Sequence, residues 1–282
     1  MSEYFCLFSI LGIPQKTQER IAKGLPKKLP IAGVEHVILV SSAKGGVGKS
    51  TIAVNLATAL HELKKDMRIG LLDADVFGPS IPILMNLNDQ PEVNKQNLIL
   101  PLSNYGIKCM SMGFLVEEQS AIVWRGLMVM SAIQKLLRQV MWGPLDVLVV
   151  DMPPGTGDTQ LSICQSIPIS GAILVSTPQR LAMADVRRGV KMFQTVGVPT
   201  LGLVQNMSRH TCSKCGHSSQ LFGQKDVAGE LGLPLLADIP LSQPLEESTD
   251  CGKPLVISQP HSDEAKEFFS LSRKVYSALK IS

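Results

Sequence analysis

Lys44 and Lys49 enclose the run Lys44-Gly-Gly-Val-Gly-Lys-Ser-Thr51, whose residue types suit the binding of a polyphosphate. Gly45, Gly46 and Gly48, with Val47 between them, let successive backbone N–H groups turn inward around an anion. A helix starting at this point adds the positive end of its dipole. Lys49 can reach β- and γ-phosphates as a point charge, Ser50 can put its hydroxyl on Mg²⁺, and Thr51 completes a hydroxyl pair. The flanks fit this chemistry: residues 36–40 are an apolar run of strand type, and residues 52–60 carry a helical pattern. The loop departs twice from the common G-x-x-x-x-G-K-[ST] form. Ala43 stands where the first glycine is usual, and Lys44 is an additional lysine five residues before Lys49.

Carboxylates recur at the ends of other apolar runs. Leu71-Leu-Asp-Ala-Asp75 closes on Asp73 and Asp75, residues that suit a metal-nucleotide site and equally suit an Asx turn or a helix cap. Val147-Leu-Val-Val-Asp151 ends in a carboxylate able to hold Mg²⁺ through water, opposite Ser50. Met152-Pro-Pro-Gly-Thr-Gly-Asp158 follows at once, with glycines that permit a loop to shift with a γ-phosphate. Asp158 serves as well as a cap for the next helix. Asn206 has an amide able to read an adenine edge, and Asp238-Ile-Pro240 would wall the same base; a plain strand terminus is the alternative for both.

The elements that must position these groups alternate along the chain. Short apolar runs predict strands at 36–42, 69–73, 106–110, 146–151, 171–176, 200–206 and 235–239. Helical patterns fill 49–65, 125–140, 158–166, 183–196, 225–231 and 263–279. Such alternation gives an α/β fold, a mostly parallel doubly wound sheet covered on both faces. Ligands then bind beyond the carboxyl ends of the strands, where the phosphate loop, Asp73, Asp75, Asp151 and Asn206 all fall. Residues 1–32, with Pro14, Pro26 and Pro30, read as a lead-in segment, and 33–282 as one domain.

Composition narrows the classes. A chain of 282 residues with 45% hydrophobic and 18% charged content is globular, not disordered. A net charge of +3 gives no argument for nucleic acid, and no apolar run reaches the ~20 residues of a membrane span. Neither a secretory nor a mitochondrial leader is legible in residues 1–35, where Arg20 is the one arginine and Glu3 and Glu19 are present.

Six cysteines in a chain this long are no disulfide framework, which favours a reducing compartment. Cys109 and Cys164 sit in apolar contexts and read as buried thiols, whereas Cys212-Ser-Lys-Cys215 lies in a polar segment, 207–222, inserted after Asn206. One C-x-x-C supplies two thiolates where a tetrahedral site needs four ligands. His210 and His217 could complete a zinc site within one chain. Two chains could instead share one [4Fe–4S] cluster on a two-fold axis, and a redox disulfide is the third option.

The K-G-G-x-G-K-[ST]-T loop resembles the deviant Walker A motif of the MinD, ParA and nitrogenase-iron-protein class. That resemblance implies a homodimer closed face to face over two nucleotides, with Lys44 reaching across to the partner's ATP. It also implies that Asp73 lies by the Mg²⁺ shell and that Asp75 orients the attacking water. Asp73-Ala-Asp-Val-Phe-Gly-Pro-Ser80, Val150-Asp-Met-Pro-Pro-Gly-Thr-Gly-Asp158, Gln205-Asn-Met207 and the C-x-x-C then make the chain from about residue 33 onward similar to the Mrp group of P-loop ATPases, carriers of iron–sulfur clusters. Met110–Glu117 and Trp124–Ile133 resemble its mitochondrial nucleotide-binding-protein-like branch, implicated in assembling the iron–sulfur proteins of respiratory complex I. The implied dimer favours the shared cluster at Cys212 and Cys215, delivered to respiratory apoproteins in the mitochondrial matrix, with the cytoplasm as the alternative site. Leu127 replaces a proline common in relatives, and the cysteine-rich extension of cytosolic members and the small N-terminal domain of many bacterial ones are not seen, so no second cluster is expected. A MinD/ParA-like positioning ATPase and a zinc-stabilised regulatory ATPase remain the competing readings.

Overall fold

The structure is a computed structural model that describes residues 28–115, 126–211, 215–222 and 227–281. Cys212, most of the lead-in segment, Glu117, Trp124 and the starts of the helices expected at 125 and 225 lie outside the described residues. Strands β1 (Val34–Ser41), β2 (Ile69–Asp73), β4 (Ile107–Ser111), β5 (Leu145–Asp151), β6 (Gly171–Ser176), β7 (Thr200–Thr211) and β9 (Leu235–Leu241) pair in parallel in the order 4-2-5-1-6-7-9. β3 (Leu102–Asn104) adds to β4 and β8 (Ser218–Gln220) to β7, both antiparallel.

β2, β5 and β6 bury consecutive residues, which requires cover on both faces of the sheet. Helix α1 (Lys49–Leu63) packs under the sheet against α9 (Asp263–Leu279), with α8 (Leu255–Ser258) beside them. Ile52 to Leu60 of α1 are all buried, because the helix is enclosed by sheet and helices together. α3 (Gly126–Arg138) packs on α4 (Asp158–Ser166), and α5 (Arg180–Thr195) runs along β6 and β7. Trp142, wholly buried, anchors this core by donating its indole N–H to the Leu136 carbonyl, 3.0 Å away. α9 begins as its sequence dictates: the Ser262 hydroxyl accepts from the Ala265 N–H at 3.2 Å, with Asp263 and Glu264 in the first turn.

The mostly parallel α/β fold is as expected, with local differences. β7 continues five residues beyond Asn206, because its largely polar extension is held by β8 in a hairpin. The expected helix at 225–231 is described as α6, Val227–Glu230. The short helices α2 (Ile81–Leu84), α7 (Gln243–Asp250) and α8, and the three-residue strands β3 and β8, were not expected, since elements this short leave little periodicity to read. Among the described residues no helix is long and apolar enough to cross a membrane.

Candidate functional site

The register sets the site. Asp73 pairs with Asp151 and with Ser111, and Val40 pairs with Asp151, so the carboxyl ends of β2, β4, β5 and β1 finish level. Here the chain buries Ser42, Lys49, Asp73, Ser111, Asp151 and Asn206, polar groups a core would otherwise reject. A cleft of about 390 Å³ opens above them, lined by Gly45, Gly46, Gly48, Lys49, Ser50, Thr51, Asp75, Pro154 and Thr249 among others. Gly46 and Gly48 have φ of +77° and +82°, the left-handed region that turns the loop's N–H groups inward. Gly48 is further confined: a Cβ there would collide with the Asn206 Nδ2, and the same backbone is the cap at which α1 begins. Gly48→Ala is therefore expected to lower nucleotide affinity by about tenfold or more and to lower the melting temperature. Equilibrium binding of a fluorescent nucleotide and thermal melts check this.

Lys49 Nζ lies 2.5 Å from Asp151 Oδ1 and 3.4 Å from the Ser50 hydroxyl, so one ammonium joins the loop to the end of β5. Asp151 Oδ2 is buried and has no hydrogen-bond partner. Burial pushes the carboxyls of Asp73, Asp75 and Asp151 upward, with Lys49 opposing the rise at each. Asp73 reaches about 7, raised secondly by the charge of Asp151. Three carboxylates thus share one buried lysine, and a spare carboxylate oxygen adjoins a serine hydroxyl. That donor set fits a hard divalent cation. Asp151 and Ser50 are the residues that would hold Mg²⁺, which neutralises phosphate charge when bound.

Asp73 also has a visible structural role. Its Oδ1 accepts from the Asp75 N–H at 3.1 Å, and its Oδ2 accepts from Ser80 N–H, Ile81 N–H and the Ser111 hydroxyl at 3.0, 3.2 and 3.0 Å. It ties down the turn that carries Asp75 and caps α2. Asp73→Ala would orphan those donors and is expected to cost about 2–4 kcal/mol in denaturant unfolding. Asp75 is half-buried and faces the cleft. Lys44 is exposed, and its ammonium makes no ion pair among the described residues.

The loop after Asp151 is braced by Gln160, a residue the sequence reading missed. Gln160 accepts from the Gly157 N–H at 2.9 Å and donates to the carbonyls of Pro153 and Pro154 at 3.0 and 2.7 Å. Its place three residues after the helix cap was the signal that could have found it. The cap is Gly157; Asp158 is exposed in the first helical turn.

A second cleft of about 430 Å³ continues from the first through Gly48, Thr51 and Thr249, walled by Asn206, Met207, Pro240, Leu241 and Leu245. Asn206 Nδ2 donates to the Val47 carbonyl at 2.8 Å, which leaves its buried Oδ1 without a partner. Pro240 walls this space as expected, but Asp238 does not. Its carboxylate is taken instead by Arg209, 2.8 Å away, and accepts from Gln205 at 3.2 Å. α7 completes the cleft; Ser242 and Pro244 at its start were the legible signal. Another cleft, at the amino ends of β1, β2 and β5, holds an Arg68–Asp146 ion pair and none of the motif residues.

Cys215 is exposed in the turn between β7 and β8; His210 near the end of β7 and His217 just before β8 are exposed too, while Cys212 lies outside the described residues. No group of three or more His, Cys, Asp or Glu that could hold a metal occurs among the described residues. Cys109 and Cys164 are buried in the core, as their contexts predicted.

Comparison with known proteins agrees with this geometry. The mouse (Mus musculus) protein named iron-sulfur cluster transfer protein NUBPL is 57% identical over 274 residues, covering 96% of this chain and 86% of that protein. The Arabidopsis thaliana iron-sulfur protein required for NADH dehydrogenase, mitochondrial, is 52% identical across 92% of this chain and 83% of its own. Among solved structures, the nucleotide-binding protein of Archaeoglobus fulgidus in complex with ADP matches with a TM-score of 0.71 and 35% identity, over 85% of this chain and 93% of that one. The family model described as ParA: NUBPL iron-transfer P-loop NTPase matches residues 33–276, so this chain belongs to the NUBPL iron-transfer P-loop NTPases, within the ParA group.

Proposed function

We propose that this protein is an ATP-dependent carrier that holds a [4Fe–4S] cluster through Cys212 and Cys215 at a homodimer interface and delivers it to apoproteins of respiratory complex I. The observation that carries the proposal is that one strand, β7, joins the phosphate loop, through the Asn206–Val47 bond, to an exposed cysteine turn. The names of the mouse and Arabidopsis relatives support the cargo and its destination, and the second of them supports the mitochondrion as the compartment.

Lys49, Ser50, Thr51 and the N–H groups of Gly45, Gly46, Val47 and Gly48 bind the phosphates of ATP. Asp73 fixes the turn that presents Asp75 to the attacking water, and Lys44 of each subunit serves the other's nucleotide. Phosphoryl transfer needs positioning and charge neutralisation rather than a strong base, which this donor set supplies. Asn206 offers its spare Oδ1 to the amino group of adenine, while Pro240 and Leu241 flank the base. Two thiolates per chain, doubled by a two-fold axis, satisfy the four iron positions.

The test is transfer from the loaded protein to an apo-acceptor of the [4Fe–4S] class. Acceptor activity should rise faster with Mg·ATP than without nucleotide. Transfer at equal rates in both conditions would contradict the coupling.

A further inference from the structure

β7 is the longest strand of the sheet, and its course changes at one point. Ser176, the last residue of β6, pairs with Gln205, so everything in β7 beyond Asn206 projects past the common carboxyl edge. At that edge Asn206 is bonded to the phosphate loop through the Val47 carbonyl, and its amide occupies the space a side chain at Gly48 would need. Met207 follows with φ of +55°, a left-handed conformation that is strained for a non-glycine residue. The register between β7 and β9 breaks over the same stretch, between Asn206 and His210. Beyond the kink the strand is anchored again. The Arg209 guanidinium bonds the Asp238 carboxylate at 2.8 Å and its carbonyl at 3.1 Å, with Glu267 of α9 at 3.9 Å. Arg209, His210 and Thr211 then pair with Gln220, Ser219 and Ser218 to form the hairpin that carries Cys215.

Two features mark this segment as poised rather than merely irregular. The Asn206 Oδ1 and the Ser208 hydroxyl are both buried without partners, and an unsatisfied buried polar group is destabilising. A ligand that draws the phosphate loop inward or satisfies Oδ1 therefore acts directly on this strand.

We propose that Asn206 and Arg209 are positioning residues of a coupling strand: Asn206 senses the phosphate loop, Met207 redirects the chain, and Arg209 passes the change to the cysteine hairpin. The inference rests on the reading of the cleft as a nucleotide site and of the hairpin as the cluster-bearing element, but its test needs only nucleotide. A protein that bound zinc or no metal would leave the result intact.

Amide hydrogen exchange of residues 208–211 and 218–220 is measured on the full chain, free and saturated with Mg·ADP. Nucleotide affinity is measured separately with a fluorescent analogue. In the wild type, Mg·ADP should slow exchange in the hairpin by about tenfold, a coupling of ordinary size. Arg209→Ala should keep its nucleotide affinity and lose that response, and Arg209→Lys should restore part of it. A merely structural role would raise exchange in the free protein and leave the response to nucleotide in place. Asn206→Ala, examined at saturation, should also lose the response. The proposal is overturned if the wild-type hairpin does not respond to Mg·ADP. It is equally overturned if Arg209→Ala responds as the wild type does, whether or not Asn206→Ala retains nucleotide.

Discussion

Cys212→Ala is expected to leave the anaerobically reconstituted protein without a stable cluster, with iron content down roughly tenfold or more. A single C-x-x-C gives each chain two thiolates, so one substitution takes half the ligand set from a two-fold dimer. Cys215→Ala should do the same, because Cys215 is the other thiolate of the pair and is exposed in the hairpin turn. Cys109→Ala and Cys164→Ala should retain the cluster. Both side chains lie inside the core, and burial pushes their thiols up, Cys164 to about 12 and Cys109 further, so neither supplies a thiolate near neutral pH. Iron and sulfide analysis of the four variants checks the pattern. A full cluster in Cys212→Ala would shift attention to His210 and His217, which are exposed on the same hairpin.

Lys44→Ala should suppress ATP hydrolysis by about 10³ while sparing much of a single subunit's nucleotide affinity, because a cation supplied in trans acts only once the dimer has closed. Lys44 suits that role: it is exposed and its ammonium is unpaired among the described residues, so its removal disturbs no folded contact. Lys49 is a poorer probe. Its ammonium is buried against Asp151, and Lys49→Ala would abandon a buried carboxylate at a cost of about 3–5 kcal/mol besides weakening phosphate binding. The decisive form of the test mixes Lys44→Ala with Asp75→Ala subunits. In a mixed dimer one site carries both defects and the other neither, so partial recovery of activity is expected. No recovery at any mixing ratio would contradict action across the dimer.

The phosphate loop, Asp151 and the carboxyl-edge placement of Asp73, Asp75 and Asn206 could all be read from local patterns, because each depends on a few adjacent residues and the strand that ends there. What escaped the sequence was contact between distant segments. Nothing near Asn206 announces that its amide is held by Val47, or that Asp238 is claimed by Arg209 instead of the base. Asp73 shows the same limit: an Asx turn was foreseen as an alternative, but not that one carboxylate also receives the hydroxyl of Ser111 from the neighbouring strand. α7, which closes the second cleft, has two turns and weak periodicity, and only its serine and proline betray its start. The extension of β7 was invisible for a different reason. Its residues are largely polar, and the strand is maintained by hairpin pairing.

The central claim is that the cysteine pair holds an iron–sulfur cluster shared by two chains. It is tested most directly by the metal content, visible spectrum and mass in solution of wild-type protein reconstituted anaerobically with iron and sulfide. The expected product is a brown dimer with about two irons and two sulfides per chain, that is, one [4Fe–4S] cluster per pair of chains. A colourless protein with about one zinc per chain and no iron would contradict the account.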